Sequence, residues 1–316
     1  MNKQGIISLG IDIGGTKINA AAISNGQIIS EVLSYKTPDN VEDLVNIIFE
    51  AIEELKKQYK AKFVGIATAG TVNLENTKVT GSTGNLPKGY GNLELKKMIE
   101  ERFKIKTFVE NDANAAAYAE YKVGNARGDN NTIVLTLGTG IGGGIIINGK
   151  LLRGKSGVGA ECGHLAVSRE KRRRCTCGAW DCWEAYASGT GYTLNARDMV
   201  KEIPPDKRKG ILSDKNPEEL MTHDIIEGLR KNDPFAKKVH ERWEDYLAIG
   251  IAALVNIFDP DSVILSGGMA KFVNFEKLLK DVEKRVVISK IKLLPAKTEN
   301  YAGIIGAAIL AEEKLK

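Results

Sequence analysis

Two stretches of this chain repeat one another. Shifting the sequence by 123 residues lays Gly15-Thr16-Lys17-Ile18 on Gly138-Thr139-Gly140-Ile141, Ile23 on Ile146, Asn25-Gly26 on Asn148-Gly149 and Ile28-Ile29 on Leu151-Leu152. Each copy reads as an apolar strand, a Gly-Thr turn, a second apolar strand and an Asn-Gly hairpin leading into a third. Asn-Gly pairs supply the positive φ values that two-residue hairpins require. A unit repeated only twice predicts two related lobes rather than a solenoid.

The segments around the copies alternate in kind. Val41 to Tyr59 carries apolar residues at helical spacing, and Phe63 to Ala67 reads as a strand. Asn114 to Tyr121 predicts a helix of small residues, Phe235 to Phe258 a longer one, and Val263 to Leu265 a buried strand triplet. Helices following hairpins in both halves predict an α/β protein with two lobes and a cleft between them. The boundary is expected near residues 115–125. Residues 1–117, joined by a returning C-terminal helix over about 300–316, form the small lobe, and residues 118–299 the large one.

Composition narrows the function classes. A net charge of +5 with acidic residues interspersed throughout argues against a nucleic-acid partner, and the one dense basic run, Lys171 to Arg174, reads as a solvated loop. No apolar stretch reaches membrane-spanning length. A leader is not expected at the start, because Ile6 to Ile13 is a short apolar strand that already carries Asp12. Cysteines this few and this clustered do not make a disulfide framework, so a reducing, cytoplasmic setting is expected.

Both repeated turns have anion-binding chemistry. In Asp12-Ile-Gly14-Gly15-Thr16-Lys17 and Gly138-Thr139-Gly140-Ile-Gly142-Gly143-Gly, glycines let backbone N–H groups approach an anion and threonines add hydroxyl donors. Neither matches a Walker or dinucleotide fingerprint. Either one alone reads equally well as a tight hairpin; two in register, one beside an aspartate, favour a phosphate site. Asp12 suits Mg²⁺ held through water. Gly267-Gly268, after the buried triplet, would let adenosine lie against backbone, although alone it marks only a turn.

Glu110-Asn111-Asp112-Ala-Asn-Ala-Ala-Ala117 follows the apolar strand Thr107 to Val109. Asn111 or Asp112 here is either the cap of the Ala-rich helix or a working residue at a strand end. A third cluster runs from Glu161 to Glu184. His164, Cys175, Cys177 and Cys182 offer one imidazole and three thiolates, a complete tetrahedral shell for zinc. Glu161 and Glu184 bracket it and are not needed by a purely structural metal.

Taken in order, Asp12–Lys17, Glu110–Ala117, Gly138–Gly144, Glu161-Cys-Gly-His164 and Cys175-x-Cys-Gly-x-x-x-Cys182-x-Glu184 resemble the motifs of ROK proteins. These are bacterial and archaeal sugar kinases and sugar-responsive repressors, and the resemblance runs from Asp12 to about Gly306. It implies the actin-like ATPase fold (ribonuclease H-like, hexokinase-type), with two lobes closing on ATP and sugar. It implies ATP-dependent phosphorylation of a hexose, glucose to glucose 6-phosphate first, with Asp112 as general base. Asn85, Asn111, Asp112, Glu161, His164 and Glu184 resemble the sugar-binding positions. Asp12, the residues of the two turns, and Gly267-Gly268 resemble the MgATP site. His164 with Cys175, Cys177 and Cys182 resembles the structural zinc site, and homodimers or homotetramers are usual. Fructose, mannose, N-acetylmannosamine and N-acetylglucosamine are the alternative acceptors; a non-catalytic sugar- or nucleic-acid-binding zinc protein is the remote one. The repressors carry a helix-turn-helix domain ahead of the first turn, which the position of Asp12 does not suggest here. Two departures stand out: the gap from His164 to Cys175 is one residue longer than the pattern, and Asp181 replaces its glycine. Cys162 lies outside the metal set and is expected to be a small buried residue.

Overall fold

A computed structural model describes residues 5–81, 86–210, 215–287 and 290–316. In chain order the first part comprises β1 (Ile7–Ile13), β2 (Lys17–Ser24), β3 (Gln27–Ile28), β4 (Leu33–Lys36), α1 (Val41–Gln58), β5 (Phe63–Thr68), β6 (Thr71–Val72), β7 (Val79–Gly81), α2 (Leu95–Phe103), β8 (Lys106–Asn111) and α3 (Asp112–Val123). It continues with β9 (Thr132–Leu137), β10 (Ile141–Ile147), β11 (Lys150–Leu151), α4 (Glu184–Ala187), α5 (Gly189–Glu202), α6 (Thr222–Arg230), α7 (Pro234–Phe258), β12 (Ser262–Ser266), α8 (Phe275–Glu283), β13 (Lys292–Pro295) and α9 (Ala302–Leu315). Two compact units result. Unit 1 holds residues 1–134, 143–160 and 296–316, and unit 2 holds 135–142 and 161–295.

The repeat is visible in the hairpins. Ser24 pairs with Gln27 and Ile23 with Ile28; 123 residues on, Ile147 pairs with Lys150 and Ile146 with Leu151. Both Asn-Gly pairs are left-handed, with φ of 52° and 73° at Asn25-Gly26 and 50° and 73° at Asn148-Gly149. Only residues that tolerate φ > 0 close a two-residue hairpin matched to strand twist, so local sequence alone sets this feature.

Unit 1 is built on a sheet ordered β3-β2-β1-β5-β8, with β4 also on β2. Strands β1, β5 and β8 run parallel, and their register sets Asp12 beside Ala67 and Ala67 beside Glu110. On one face Leu9, Ile11 and Ile13 pack with Leu44, Ile48 and Ile52 of α1, each such side chain contributing about 1.5–3 kcal/mol of transfer free energy. Asn40 caps α1 by accepting the N–H of Asp43 at 2.8 Å. The other face is covered by α3 and α9, which meet through Ala116, Ala119, Ile304, Ile305 and Ala308. Close approach of these layers requires glycine in α9 and in β5. A methyl at Gly306 would stand 1.8 Å from the carbonyl oxygen of Ala115, and one at Gly65 1.9 Å from that of Ala307.

The second sheet is ordered β11-β10-β9-β12-β13, and β9 and β10 give residues to both units. In unit 2 the helical part is organised by two fully buried tryptophans. Trp183 donates its indole N–H to the carbonyl of Tyr246 and Trp243 donates to that of Ala187, both at 2.7 Å. Gly250 leaves room for the Trp183 ring, which a methyl there would meet at 2.0 Å. The segment Cys182-Trp183-Glu184 is thereby fixed onto α7.

Candidate active site and metal cluster

In unit 1 the C-terminal ends of β1, β5 and β8 bring Asp12, Thr68 and Asn111-Asp112 to one edge of the sheet, where open α/β sheets carry their ligands. Asp12 keeps some solvent access, yet protein atoms crowd its carboxyl closely. Helix α9 approaches it, and a methyl on Gly303 would stand 2.7 Å from the Asp12 Cγ. Burial first, and then the charge of Asp112, raise the Asp12 pKa to about 7 against the opposing pull of Lys17. Two carboxylates therefore share one locality in a single unit.

Gly14 and Gly15 form the first turn, with Thr16 and Lys17 exposed beyond them. The turn is closed by the Gly14 N–H to the Lys17 carbonyl at 3.0 Å. Buried Thr37 pins it, its hydroxyl donating to the Gly14 carbonyl at 2.7 Å and its N–H to that of Thr16 at 3.1 Å.

Of the two neighbours, Asn111 takes the capping role. Asn111 is the N-cap of α3, its Oδ1 accepting the Asn114 N–H at 3.0 Å, while its Nδ2 donates to the Gly70 carbonyl at 2.9 Å and to Asp112 at 3.1 Å. Asp112 occupies the first helical position and accepts the Ala113 N–H at 2.8 Å. Behind them lies buried Glu110, which accepts the Asn111 N–H at 2.9 Å and pairs with Arg153 at 3.2 Å. Arg153 in turn donates to the carbonyls of Asn73 and Leu74 at 2.9 and 2.8 Å. Asn85 lies outside the described residues.

In unit 2 the second turn spans Gly138 to Gly140, closed by the Gly138 N–H to the Gly140 carbonyl at 3.0 Å. Gly142 and Gly143 lie within β10 rather than in the turn. Two further segments dock on it. Gly189 N–H donates to the Gly138 carbonyl and the Thr190 hydroxyl to that of Thr139, both at 2.8 Å, and Met269 N–H donates to the Leu137 carbonyl at 3.0 Å. Gly267 and Gly268 thus abut the turn, and no heavy atom lies within 4 Å of a methyl placed on Gly138 or Gly268. That leaves an exposed backbone face open to a ligand.

The four cluster residues converge. The ligand atoms of His164, Cys175, Cys177 and Cys182 lie within 4.8 Å of one another, and none of the cysteines forms a disulfide. Cys177 and Cys182 sulfurs stand 3.7 Å apart, as do Cys175 sulfur and His164 Nδ1. Zinc–sulfur bonds of about 2.3 Å in a tetrahedron give edges of about 3.8 Å, so the donor set fits that ion. Burial and then the neighbouring thiols push Cys182 up to about 12, whereas the Ala179 backbone N–H draws the Cys177 thiol down. The other histidine nitrogen, Nε2, faces Glu161 at 3.9 Å. Asp181 is left-handed at φ 56° and fully buried. It accepts the N–H groups of Arg172 and Arg173 at 3.0 and 2.9 Å and the Tyr186 hydroxyl at 2.7 Å. The residue that replaces glycine thus ties down the lengthened basic loop. Cys162 is buried and its thiol is pushed up to about 12 by burial.

Thr37, Arg153, Trp183 and the Ser188–Thr190 segment are site residues that motif reading does not mark. Only the last carried a signal: Ser188-Gly-Thr-Gly191 is a cap followed by small residues, and the Ser188 hydroxyl accepts the Gly191 N–H at 3.0 Å.

A duplicated strand–turn–strand unit with a carboxylate at the end of its first strand belongs to the actin-like ATPase class of α/β folds. Solved structures of that class are similar throughout their length. A ROK family glucokinase from Streptomyces griseus in complex with glucose and AMPPNP is 34% identical, covering 97% of this chain and 99% of that one with a TM-score of 0.79. A ROK hexokinase from Thermus thermophilus is 30% identical over 98% and 99% of the two chains, with a TM-score of 0.83. Among curated proteins, a glucokinase of Streptomyces coelicolor is 34% identical over 97% of this chain and 98% of its own length. The profile of the ROK family matches residues 8–314, and the chain belongs to that family.

Proposed function

We propose that this chain is a hexose kinase that transfers the γ-phosphoryl group of ATP to the primary hydroxyl of a sugar, with glucose the preferred acceptor. The observation that carries the reading is the carboxylate pair Asp12 and Asp112 beside the first glycine turn, with Asp12 raised to about 7. Paired carboxylates at a strand edge suit a divalent cation, and kinship with glucokinases supports the rest.

Asp112 accepts the proton of the attacking hydroxyl as its oxygen bonds to the γ-phosphorus and ADP departs. Asn111 holds that carboxylate in place through its Nδ2, and the backbone of both glycine turns takes the phosphates. Gly267 and Gly268 offer the backbone face for adenosine. Mg²⁺, held through water near Asp12, would neutralise charge on the phosphates. Glu161, Glu184, Asn111 and His164 hold ring hydroxyls. Zinc on the three thiolates and His164 Nδ1 would fix the imidazole, leaving Nε2 and Glu161 oriented towards the sugar.

The test is sugar-dependent ADP release from ATP across glucose, fructose, mannose, N-acetylmannosamine and N-acetylglucosamine. The reading expects glucose to give the highest kcat/KM. ATP consumption that no hexose stimulates would refute it.

A further inference from the structure

Glu184 belongs to two structures at once. Its Oε2 accepts the N–H of Ile141 at 2.8 Å, and its Oε1 lies 3.8 Å from the sulfur of Cys175. Ile141 is the residue at which the second glycine turn enters β10. Gly140 is shaped around the same carboxylate, since a methyl there would meet Oε2 at 2.2 Å. The preceding residue, Trp183, is anchored by its indole N–H to the carbonyl of Tyr246 at 2.7 Å. A carboxylate placed only to bind sugar hydroxyls would gain nothing from giving one oxygen to a backbone N–H of the turn. Hydrogen bonds with a charged partner are the stronger kind, so this one holds the turn's geometry against thermal opening.

We propose that Glu184 is a positioning residue for the second glycine turn: its carboxylate fixes the Gly140–Ile141 backbone on which nucleotide phosphates lie. This rests on reading Gly138 to Gly140 as a phosphate-binding turn. It extends the role of Glu184 from the sugar to the nucleotide. It also makes a continuous path from His164 through Cys175 and Glu184 to the turn, with successive separations of 3.7, 3.8 and 2.8 Å.

The experiment measures AMPPNP affinity in the absence of sugar, together with amide exchange over residues 138–142, in the intact protein. Glu184→Ala should weaken sugar-free AMPPNP binding and speed Ile141 exchange, each by about tenfold or more, as expected for loss of a hydrogen bond to a charged acceptor. Glu184→Gln should recover most of both, because its amide oxygen accepts the same N–H. Gly140→Ala, with Glu184 intact, should also speed exchange at Ile141, since its methyl displaces the carboxylate; it keeps the proposal testable where Glu184→Ala folds poorly. Unchanged sugar-free affinity and unchanged exchange in folded Glu184→Ala would overturn the proposal. Wild-type protein that binds no AMPPNP would overturn the phosphate-turn reading instead, and the exchange arm would still decide whether Glu184 braces the turn.

Discussion

Replacing Asp12 by Asn should make the magnesium-free protein more stable at neutral pH while abolishing phosphoryl transfer. The folded chain raises this carboxyl from 3.8 to about 7. A raised acid holds its proton more tightly in the folded state than in the unfolded one. Its contribution to stability is therefore complete below about pH 4 and is lost as pH climbs to about 7. Three pKa units correspond to about 4 kcal/mol, and the residual solvent access of the carboxyl reduces this to roughly 2 kcal/mol. Asn has the same shape and no charge, so it escapes the loss. Melting curves in magnesium-free buffer should show wild type and Asp12→Asn closest at pH 4.5, where most of the penalty has yet to develop. By pH 8 the variant should melt about 4–8 °C higher. Adding Mg²⁺ at pH 8 should raise the wild-type Tm and leave the variant unmoved. Parallel curves for the two proteins from pH 4.5 to 8 would refute the argument, because the penalty would then not reside on Asp12. Asp112 is the second cause of the shift, so Asp112→Asn should reproduce part of the stabilisation.

Asp112→Ala should lower kcat by several orders of magnitude and leave AMPPNP affinity largely intact, read by single-turnover kinetics and nucleotide titration. Metal analysis of purified protein should return about one zinc per chain, and none in active protein would exclude the metal. Cys177→Ala should raise the KM for sugar as well as lower Tm, since His164 would lose its anchor; a drop in Tm alone would make the site purely structural. Gly306→Ala, whose methyl would stand 1.8 Å from the Ala115 carbonyl oxygen, should lower stability by about 1–3 kcal/mol in thermal melts, with the site residues themselves untouched.

Periodicity located α1, β5, α3, α7 and α9 to within a few residues, because an amphipathic face or an apolar run is written in neighbouring positions. The long stretch from α4 to α6 carried no such mark. Helix α5 opens with Gly-Thr-Gly and looks like a loop; it is a helix because Ser188 caps it and Tyr192 and Ala196 are buried in unit 2. Gly142 and Gly143 read as turn residues by composition, yet they extend β10, since glycine is permissive enough to be either.

The sequence by itself determined the doubled hairpin, the order of the motifs and the donor set of the cluster. Each of these follows from residues near one another in the chain: φ preference at Asn-Gly, and the count and kind of ligands from His164 to Cys182. Even the left-handed φ of Asp181 was open to reading, because few residues besides glycine tolerate that conformation. Tertiary structure alone decided which groups the carboxylates meet. Asn111 rather than Asp112 caps α3, Glu184 gives one oxygen to the N–H of Ile141, and Asp12 is raised because α9 returns from the far end of the chain to crowd it. Desolvation and hydrogen-bond satisfaction depend on whichever groups packing brings near, and those groups come from distant positions that no local pattern records.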